Sequence, residues 1–427
     1  MRIGILGFGR EGKAILEFIR KSPKYDFAQI WILDQNLKIE ITVELKRSFG
    51  KLRMRRGKNY LKDLNTFDLI FRSPGIPFNL PEIQQAIKKG TIFSSATKLF
   101  FENFSGRIIG VTGTKGKGTT STLIHEILLK SHFDSFLAGN IGKPALEILP
   151  QLKQHSIVVL ELSSFQLQDL TISPQVAVVL DIFPDHMDAH KDFKEYQEAK
   201  TNIARYQTSR DKIFYFRENK FSARVAKSGR GKKISVTTQS FNWFRQVDLK
   251  MPGEHNFRNA VMAAKVTESL DCPKEIIAET AVNFAGLEHR LEYVRKWQMA
   301  NGKIVTFYND SASTNPQTTI AAIQSFKESI VLIVGGHDKG LDYEPLGKII
   351  RKTSVKSVVL FGANKEKIKK ALKRFPTVLV EDLKSAVEKA IEAGGKIIVF
   401  SPGAASFDMF QDYADRGRQF KELVNKL

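Results

Sequence analysis

The sequence predicts an α/β protein of three domains: a Rossmann-like N-terminal domain, a central parallel-sheet domain of the P-loop ATPase-like type, and a Rossmann-like C-terminal domain. Short apolar runs that are typical of buried strands alternate with segments of helical periodicity along the chain. Two of these strands lead through glycine-rich turns straight into helices. The 427 residues are enough for two to four domains of ~100–200 residues each. We expect the domains to span 1–104, 105–287 and 288–427.

The N-terminal segment has the pattern of a nucleotide-binding turn. A strand at residues 3–6 is followed by GFGREG and an apolar-periodic helix, and a second strand at 29–33 ends at Asp34. The pattern G-x-G-x-x-G between a strand and a helix is typical of diphosphate binding. The next strand, at 67–71, leads into a rigid turn at 72–77, and a second mononucleotide-binding half does not follow. We therefore expect a nucleotide diphosphate held as a binding handle, whereas the alternative, a dehydrogenase, would bind nicotinamide.

The segment 107–122, RIIGVTGTKGKGTTST, predicts a phosphate-binding loop between a strand and a helix. Its glycines are Gly113, Gly116 and Gly118. Glycine lets backbone N–H groups turn toward an anion, and the helix N-terminus adds partial positive charge. Lys117 would reach the β- and γ-phosphates, and a following hydroxyl would bind Mg²⁺. The match to GxxxxGK[ST] is imperfect, because Val111 replaces the first glycine and Gly118 separates the lysine from the hydroxyl. A flexible glycine turn is the alternative.

Two further polar residues follow predicted strands of the central block. Glu161 ends one apolar run, and His186 comes shortly after another at 176–182. Because the carboxyl ends of parallel strands meet at one edge of a sheet, we expect both residues to lie near the glycine loop. The alternatives are a helix-start carboxylate for Glu161 and, for His186, a turn histidine capped by Asp185 or Asp188.

The C-terminal block repeats the alternation of strands and helices. Its predicted strands span 291–294, 303–308, 330–334, 357–361 and 396–400. Polar loops at 309–311 and 336–339 again follow strands, as expected for binding loops of a parallel sheet. Residues 210–250, by contrast, show weak strand signals and no chemistry that we can assign.

Composition limits the classes of partner. The formal net charge of +21 suits nucleic acid, highly anionic small substrates or a lysine-rich genomic usage, and no nucleic-acid recognition motif accompanies it. A nucleic-acid-binding protein would show steeply salt-dependent association.

No apolar run approaches the ~18 residues of a membrane span, and the N-terminus does not have the pattern of a signal peptide. Cys272 is the only cysteine, which fits a reducing cytosol. We expect a cytoplasmic protein with neither membrane nor nucleic-acid partners.

Eleven motifs spread from the first glycine turn to the C-terminal block carry a resemblance. They are GFGREG, SPGI (73–76), GTKGKGTT, GNIGKPAL (139–146), LELSSFQL (160–167), DHMD, GEHNFRNA (253–260), HRLEYV (289–294), NDSASTNP (309–316), GGHDKG and SPGAASFDMF (401–410). Together they resemble the Mur ligases, ATP-dependent amide-bond synthetases of peptidoglycan assembly. LELSSFQL, with GNIG upstream and DHMD downstream, resembles the branch of the family that adds D-glutamate to UDP-N-acetylmuramoyl-L-alanine.

The resemblance implies a role for each motif residue. The implied catalytic residues are Lys117, Glu161, His186 and Lys200. ATP would contact Gly113, Thr114, Lys115, Gly116, Lys117, Gly118, Thr119, Thr120, Asn256, Asn259, Arg290 and Asp310. The UDP-linked substrate would contact Gly9, Arg10, Glu11, Asp34, Gln35, Asn36, Ser73, Pro74, Gly75, Asn140, Ser163 and His186. D-Glutamate would contact Thr314, Lys339, Ser406, Phe407 and Tyr413.

The same resemblance implies ATP and two Mg²⁺ ions, held by Thr119, Glu161, His186 and Lys200, with Lys200 carbamylated. Its other implications are small-molecule substrates, a monomer and a mobile C-terminal domain. For Lys200 the alternative is an exposed helical lysine within the helix predicted at 192–206. For Lys339 the alternative is an ordinary loop lysine.

Some positions depart from the family pattern. Directly after the lysine, where the family usually has a hydroxyl residue, this chain has Gly118, as do the related folylpolyglutamate synthetases. We expect the metal hydroxyl to be that of Thr119, with Thr120 as the alternative. Ala312 replaces a frequent lysine, while Arg10 and Glu11 replace apolar and hydroxyl residues of the diphosphate turn. A folylpolyglutamate-type ligase, the alternative enzyme, would have no uridine site.

Overall fold

Three mainly parallel β-sheets organise the protein. The structure is a computed structural model that describes residues 1–39, 52–186, 189–299 and 302–427. The described chain divides into two units: the first comprises Met1–Phe241 and Asn259–Ile277, and the second comprises Asn242–Arg258 and Ala278–Leu427. The predicted α/β fold class is therefore confirmed.

The N-terminal sheet belongs to the first unit and has five parallel strands in the order β3-β2-β1-β4-β5. The strands are β1 (Arg2–Leu6), β2 (Gln29–Asp34), β3 (Arg53–Arg56), β4 (Leu69–Arg72) and β5 (Ile92–Ser94). The helices are α1 (Arg10–Lys21), α2 (Pro81–Lys88) and α3 (Ala96–Asn103). Four of the five residues of β1 are buried, as expected where helices cover both faces of a parallel sheet.

The central sheet, also in the first unit, has six parallel strands in the order β11-β10-β9-β6-β8-β7. They are β6 (Arg107–Thr112), β7 (Ser135–Gly139), β8 (Ile157–Glu161), β9 (Val176–Val179), β10 (Lys212–Phe216) and β11 (Lys232–Val236). The helices are α4 (Lys117–Lys130), α5 (Ala145–Ile148), α6 (Ser164–Leu167), α7 (Phe193–Arg205), α8 (Lys220–Ala226), α9 (Glu254–Glu268) and α10 (Lys274–Asn283), the last two extending into the second unit.

Two outcomes differ from the sequence-based expectation for this sheet. The stretch 210–250, which gave only weak strand signals, supplies both β10 and β11. β11 lies at the sheet edge and begins with two exposed lysines, a pattern that protects an edge but hides a strand from hydrophobicity-based prediction. The strand predicted at 176–182 ends at Val179, because the chain then turns to the phosphate loop, where Thr114 N–H donates to Asp181 O at 2.8 Å.

The C-terminal sheet forms the core of the second unit, with strand order β12-β13-β17-β14-β15-β16. Its strands are β12 (Glu292–Gln298), β13 (Ile304–Asn309), β14 (Ile330–Gly335), β15 (Val355–Phe361), β16 (Thr377–Leu379) and β17 (Ile397–Phe400). The helices are α11 (Pro316–Gln324), α12 (Glu344–Ile350), α13 (Lys365–Leu372), α14 (Leu383–Glu392) and α15 (Tyr413–Asn425). β12 pairs antiparallel with β13, whereas the other pairs are parallel.

Within residues 1–39, 52–186, 189–299 and 302–427, no helix has both the length and the apolar character needed to cross a bilayer.

Candidate active site

The phosphate loop lies between β6 and α4, and its backbone requires glycine. Gly116 immediately precedes α4 with φ +82°, in the left-handed region. A Cβ placed at Gly116 would lie only 2.3 Å from Asn259 Oδ1. The close approach therefore brings Asn259, one of the predicted nucleotide residues, against the loop. Lys115 is exposed, whereas Gly118 is half-buried in the first turn of α4.

Neighbouring side chains hold this loop in place. The Thr114 hydroxyl lies 3.0 Å from both Phe183 O and the Tyr196 hydroxyl, so Thr114 ties the loop to α7 and to the segment after β9. Burial raises the pKa of Tyr196 to about 12, so the phenol stays protonated and can serve as a donor. Lys117 Nζ curls back over the loop, 3.2 Å from Gly113 O and 3.0 Å from Thr114 O.

Two threonine hydroxyls follow Lys117 in the first turn of α4. Thr119 is half-buried, whereas Thr120 is fully buried and its Oγ1 has no hydrogen-bond partner in the described chain. No group of three or more His, Cys, Asp or Glu side chains within the described residues could by itself hold a metal. Mg²⁺ commonly uses one or two carboxylates and completes its shell with water and substrate phosphates, so these residues fit Mg²⁺ carried with a nucleotide.

Glu161 is the last residue of β8 and is only 6% exposed. Asn140 Nδ2 donates to its Oε1 at 2.8 Å, and Asn140 N–H donates to its backbone oxygen at 3.0 Å. Gly139 makes this approach possible, because a Cβ there would lie 2.4 Å from Glu161 O. The structure thus brings Glu161 and Asn140 together, and the carboxylate does not act as a helix N-cap, because α6 is capped by Ser163.

His186 lies in a turn at the end of the segment that follows β9. Its φ is +55°, its backbone N–H donates to Asp185 Oδ1 at 3.0 Å, and its side chain is 49% exposed. The capped turn that we considered as an alternative is therefore present, with Asp185 as the cap. The ring also packs edge-on against Phe165, 5.3 Å between centroids, which places it beside the LELSSFQL motif. Met187 and Asp188 of DHMD lie outside the described residues.

Lys200 is 1% exposed, so the alternative of an exposed helical lysine is wrong. It extends from α7 toward the phosphate loop, where Nζ donates to Gly113 O at 3.0 Å and to Thr112 Oγ1 at 3.3 Å. The ammonium also lies 4.6 Å from the centre of the Tyr196 ring. Burial, followed by the charge of Lys117, holds the pKa of Lys200 well below its usual value.

A second site, in the N-terminal part of the first unit, is a cavity of about 380 Å³. Its lining includes eight residues predicted for the UDP-linked substrate: Gly9, Arg10, Glu11, Asp34, Ser73, Pro74, Gly75 and Asn140. Asp34 Oδ2 accepts from Phe8 N–H at 2.6 Å, and the Ser73 hydroxyl donates to Gly7 O at 2.6 Å. Asp34 and Ser73 therefore shape the glycine turn as well as line the cavity. Gln35 and Asn36 are exposed, immediately after Asp34.

The two charged residues of the GFGREG turn make contacts that the sequence did not predict. Arg10 Nη2 donates to Gly142 O in the GNIG segment. Glu11 Oε1 accepts from Gln166 Nε2 at 2.8 Å, so this carboxylate is bound to the LELSSFQL motif. Ser163 is the residue of that motif predicted to contact substrate. Its backbone N–H and its hydroxyl both donate hydrogen bonds to Gln166 Oε1.

In the second unit, Asp310 is the centre of a buried network at the end of β13. Its carboxylate accepts from the hydroxyls of Ser313 at 2.5 Å and Ser401 at 2.7 Å, and from Leu291 N–H at 3.1 Å. Burial raises its pKa to about 6 against these hydrogen bonds and the charge of Arg290. Arg290 and Asp310, both predicted nucleotide residues, therefore lie close together.

The residues predicted for the amino acid substrate lie on neighbouring loops of the second unit. Lys339 is exposed, and its Nζ lies 5.4 Å from the centre of the exposed Phe407 ring. Ser406 is buried, whereas Thr314 and Tyr413 keep part of their surface accessible. The two loops are joined where His337 N–H donates to Ala405 O at 2.9 Å. Asn256, at the start of α9, is buried and donates to Pro252 O at 2.8 Å.

Sequence reasoning missed Arg416, which is fully buried in α15. It donates to Ser311 Oγ at 3.0 Å, Ser311 O at 2.8 Å, Ala404 O at 3.0 Å and Ala405 O at 3.2 Å, joining the NDSASTNP and SPGAASFDMF loops. Burial lowers its pKa to about 10. A charged residue in a C-terminal helix is usually exposed, so no signal in the single sequence identified it.

Comparison with known families agrees with this geometry. The family described as "Mur ligase MurD-like, N-terminal domain" matches residues 1–94, "Mur ligase middle domain" matches 111–246, and "Mur ligase, glutamate ligase domain" matches 289–403. The matched regions contain the GFGREG turn, the phosphate loop and the Asp310 network, respectively.

The chain is also similar to known ligases over its full length. It is 35% identical to a UDP-N-acetylmuramoylalanine--D-glutamate ligase of Acetivibrio thermocellus, with 100% of this chain and 96% of the relative covered. The corresponding ligase of Clostridium kluyveri is 34% identical, with 100% and 97% covered.

Solved structures of lower identity share the fold. UDP-N-acetylmuramate-alanine ligase MurC from Thermotoga maritima is 18% identical, with a TM-score of 0.57 over 100% of this chain and 99% of that one. Folylpolyglutamate synthase from the same organism is 16% identical, with a TM-score of 0.56 over 77% and 92%. The three matched domains and the full-length identity show that the chain belongs to the Mur ligase family.

Proposed function

We propose that this chain is an ATP-dependent amide ligase that adds D-glutamate to UDP-N-acetylmuramoyl-L-alanine in peptidoglycan precursor synthesis. The observation that carries the proposal is the cluster in the first unit, where buried Lys200 and half-buried Lys117 converge on the phosphate loop. Two relatives that match this chain over its whole length are named UDP-N-acetylmuramoylalanine--D-glutamate ligase. The folylpolyglutamate synthase similarity, at 16% identity, supports a shared fold alone.

The proposed reaction explains why a phosphate loop belongs in an amide-forming enzyme. A carboxylate does not accept an amine, because oxide is a poor leaving group. Transfer of the γ-phosphoryl group from ATP to the alanine carboxylate forms an acyl phosphate. The amine of D-glutamate attacks this carbonyl, a tetrahedral oxyanion forms, and inorganic phosphate leaves as the amide is made. The enzyme must therefore stabilise anionic charge in both steps.

Lys117 and the first turn of α4 are suited to the phosphoryl transfer. The Lys117 ammonium and the N–H groups at the helix start present positive charge where the transferred group becomes more anionic. Asn140 holds the Glu161 carboxylate in one orientation at the end of β8. In this proposal Asn140, Ser163 and His186 bind the muramoyl-alanine end of the substrate.

The proposal includes two Mg²⁺ ions, which Glu161, His186, Thr119 and a carbamylated Lys200 would hold. Bound Mg²⁺ would neutralise phosphate charge during the transfer. The buried carboxylate and the threonine hydroxyls at the loop fit this hard cation. Carbon dioxide adds only to a neutral amine, and the depressed pKa of Lys200 favours that form. The resulting carbamate would replace a cation with an anionic oxygen ligand.

Residues of the second unit are assigned to two ligands. Lys339, Thr314 and Ser406 are assigned to the carboxylates of D-glutamate, with Phe407 and Tyr413 beside them. Asn256, Arg290 and Asp310 are assigned to ATP. We further propose domain bounds of 1–104, 105–287 and 288–427, a monomeric state and a cytoplasmic location.

Binding of the uridine handle tests the proposal separately from catalysis. We expect UDP and UDP-N-acetylmuramoyl-L-alanine to bind in calorimetry without ATP and to raise the thermal midpoint, since a ligand that binds only the folded state stabilises it. ADP-ribose, which also carries a diphosphate but lacks uracil, is the matched control and should bind more weakly. Absence of UDP binding would contradict the assignment and favour a folylpolyglutamate-type ligase.

A further inference from the structure

Helix α6, which carries the SSFQL part of the acceptor motif, is held by two charged side chains from the N-terminal sheet region. Glu11 reaches it from the start of α1, and Arg72 reaches it from the end of β4. Both residues adjoin the cavity of about 380 Å³: Glu11 lines it directly, and Arg72 immediately precedes the lining residues Ser73 to Ile76. Glu11 and Arg72 thus link the wall of the cavity to the LELSSFQL motif.

The contact through Glu11 fixes the direction of a hydrogen-bond chain. Gln166 Nε2 donates to Glu11 Oε1 at 2.8 Å, so Gln166 Oε1 must point the other way. That oxygen accepts from Ser163 N–H at 3.0 Å and from the Ser163 hydroxyl at 3.1 Å. Gln166 is 3% exposed, so its amide is enclosed by protein. The Ser163 hydroxyl proton is therefore committed to Gln166, and one lone pair of this hydroxyl accepts from Gln166 N–H at 3.3 Å. Only the second lone pair is left for a ligand.

Arg72 contacts the backbone of the same helix. Its guanidinium donates to Phe165 O at 2.8 Å, to Ile76 O at 2.7 Å and to Asp169 Oδ2 at 3.0 Å. Arg72 is 1% exposed and the Asp169 side chain 6% exposed, so the pair is buried. One planar side chain therefore joins the SPGI loop to Phe165 inside the motif and to Asp169, two residues after it.

The charges around Glu11 are consistent with this arrangement. Burial raises the pKa of Glu11, while the Gln166 hydrogen bond and the charges of Arg72 and Arg10 lower it and that of Asp169 raises it. The Glu11 carboxylate thus lies near two arginines, one of which, Arg72, is paired with Asp169 at 3.0 Å.

We propose that Glu11 and Arg72 are positioning residues that hold Gln166 and Phe165 so that Ser163 presents a hydrogen-bond acceptor to an N–H group of the UDP-linked substrate. The inference rests on the proposed function for the identity of that substrate. The position of Glu11 in the glycine turn suggested that it contacts the diphosphate directly. In the present proposal Glu11 acts on the substrate indirectly, through Gln166 and Ser163.

The test compares Michaelis constants rather than activity alone. Glu11→Ala should raise KM for UDP-N-acetylmuramoyl-L-alanine about tenfold, as expected for the loss of one charge-assisted hydrogen bond, and leave KM for ATP within twofold. Glu11→Gln keeps a carbonyl acceptor for Gln166 and should restore KM to within about threefold of wild type. Glu17→Ala, which removes an exposed carboxylate from the same helix, is the matched control and should change neither constant.

A double-mutant cycle separates positioning from direct contact. In a Gln166→Ala background, Glu11→Ala should have no further effect on KM, because the chain that it orients is already gone. An equal, additive increase in that background would show that Glu11 contacts the substrate itself and would overturn the proposal.

If Glu11→Ala does not fold, Arg72→Lys tests the positioning role instead. This variant keeps the charge but loses the contacts to Ile76 and Phe165, so it should raise KM for the UDP-linked substrate selectively. An unchanged KM would contradict it. If the wild-type enzyme does not turn over UDP-N-acetylmuramoyl-L-alanine, the proposed function itself fails. This result is distinct from any effect of the variants.

Discussion

Removal of the Lys200 side chain is predicted to lower turnover strongly. Nζ lies 3.0 Å from Gly113 O and 3.3 Å from Thr112 Oγ1, so the side chain ends at the phosphate loop. If its carbamate is a metal ligand, Lys200→Ala removes an anionic group that acts on the transferring phosphate. Loss of one preorganised electrostatic group costs about 10²–10³ in kcat, or roughly 3–4 kcal/mol of barrier.

The same variant should still fold. Gly113 O loses this donor, at a cost of about 1 kcal/mol, but it still accepts from Lys117 Nζ at 3.2 Å. The substitution also removes a buried amine whose pKa is depressed by burial. Thr112 retains its hydrogen bond to Leu162 O at 2.8 Å. We therefore expect a modest change in thermal midpoint together with a large loss of kcat.

Phosphate release under saturating substrates measures kcat, and added acetate or formate tests the mechanism of its loss. A small carboxylate can occupy the space left by the side chain, so it should restore part of the Lys200→Ala rate. Lys194→Ala, which removes an exposed lysine from the same helix, is the control and should keep kcat within twofold. Normal activity of Lys200→Ala, or an unmodified Lys200 in a metal-bound crystal structure, would refute the carbamate role.

Three further predictions address other parts of the site. Lys117→Ala should lower kcat about a thousandfold while leaving calorimetric affinity for the UDP-linked substrate unchanged; turnover within tenfold of wild type would contradict its assignment. Lys339→Ala should raise KM for D-glutamate far more than KM for ATP, and equal increases in both would count against a carboxylate contact. The pKa of Asp310 is raised from 3.8 to about 6, so the folded state binds its proton more tightly. Its contribution to stability is complete below about pH 4 and decreases by ~3 kcal/mol as pH rises through 6. Asp310→Asn should remove that decrease in a thermal-denaturation series, and an identical pH profile for both proteins would refute it.

Local patterns in the sequence were sufficient for the architecture and for the phosphate loop. The strand-glycine-helix order around Gly116 and the helix that carries Lys200 follow from periodicity, because both depend on residues adjacent in the chain. The placement of Glu161 at a strand end also followed from this logic. In contrast, β11 was obscured by the lysines that protect its exposed edge.

Contacts between distant segments could not be predicted in this way. Arg72 and Asp169 form a buried pair across 97 positions, and Arg416 reaches Ser311 across 105. In the sequence, Arg72, Asp169 and Arg416 each resemble an ordinary charged surface residue, and only the fold shows that they are buried. Glu11 illustrates the same limit: its position in a glycine turn indicated a ligand contact, and only the fold shows that its carboxylate also accepts from Gln166.

The proposed acceptor is identified by phosphate release from ATP in the presence of UDP-N-acetylmuramoyl-L-alanine, measured against a panel of D- and L-amino acids. We predict release that depends on both the UDP-linked substrate and D-glutamate, with L-glutamate and D-aspartate giving far lower rates. Mass spectrometry of the same reactions should show a product heavier by one glutamyl residue. Release that does not require the UDP-linked substrate, or equal rates with L-glutamate, would contradict it.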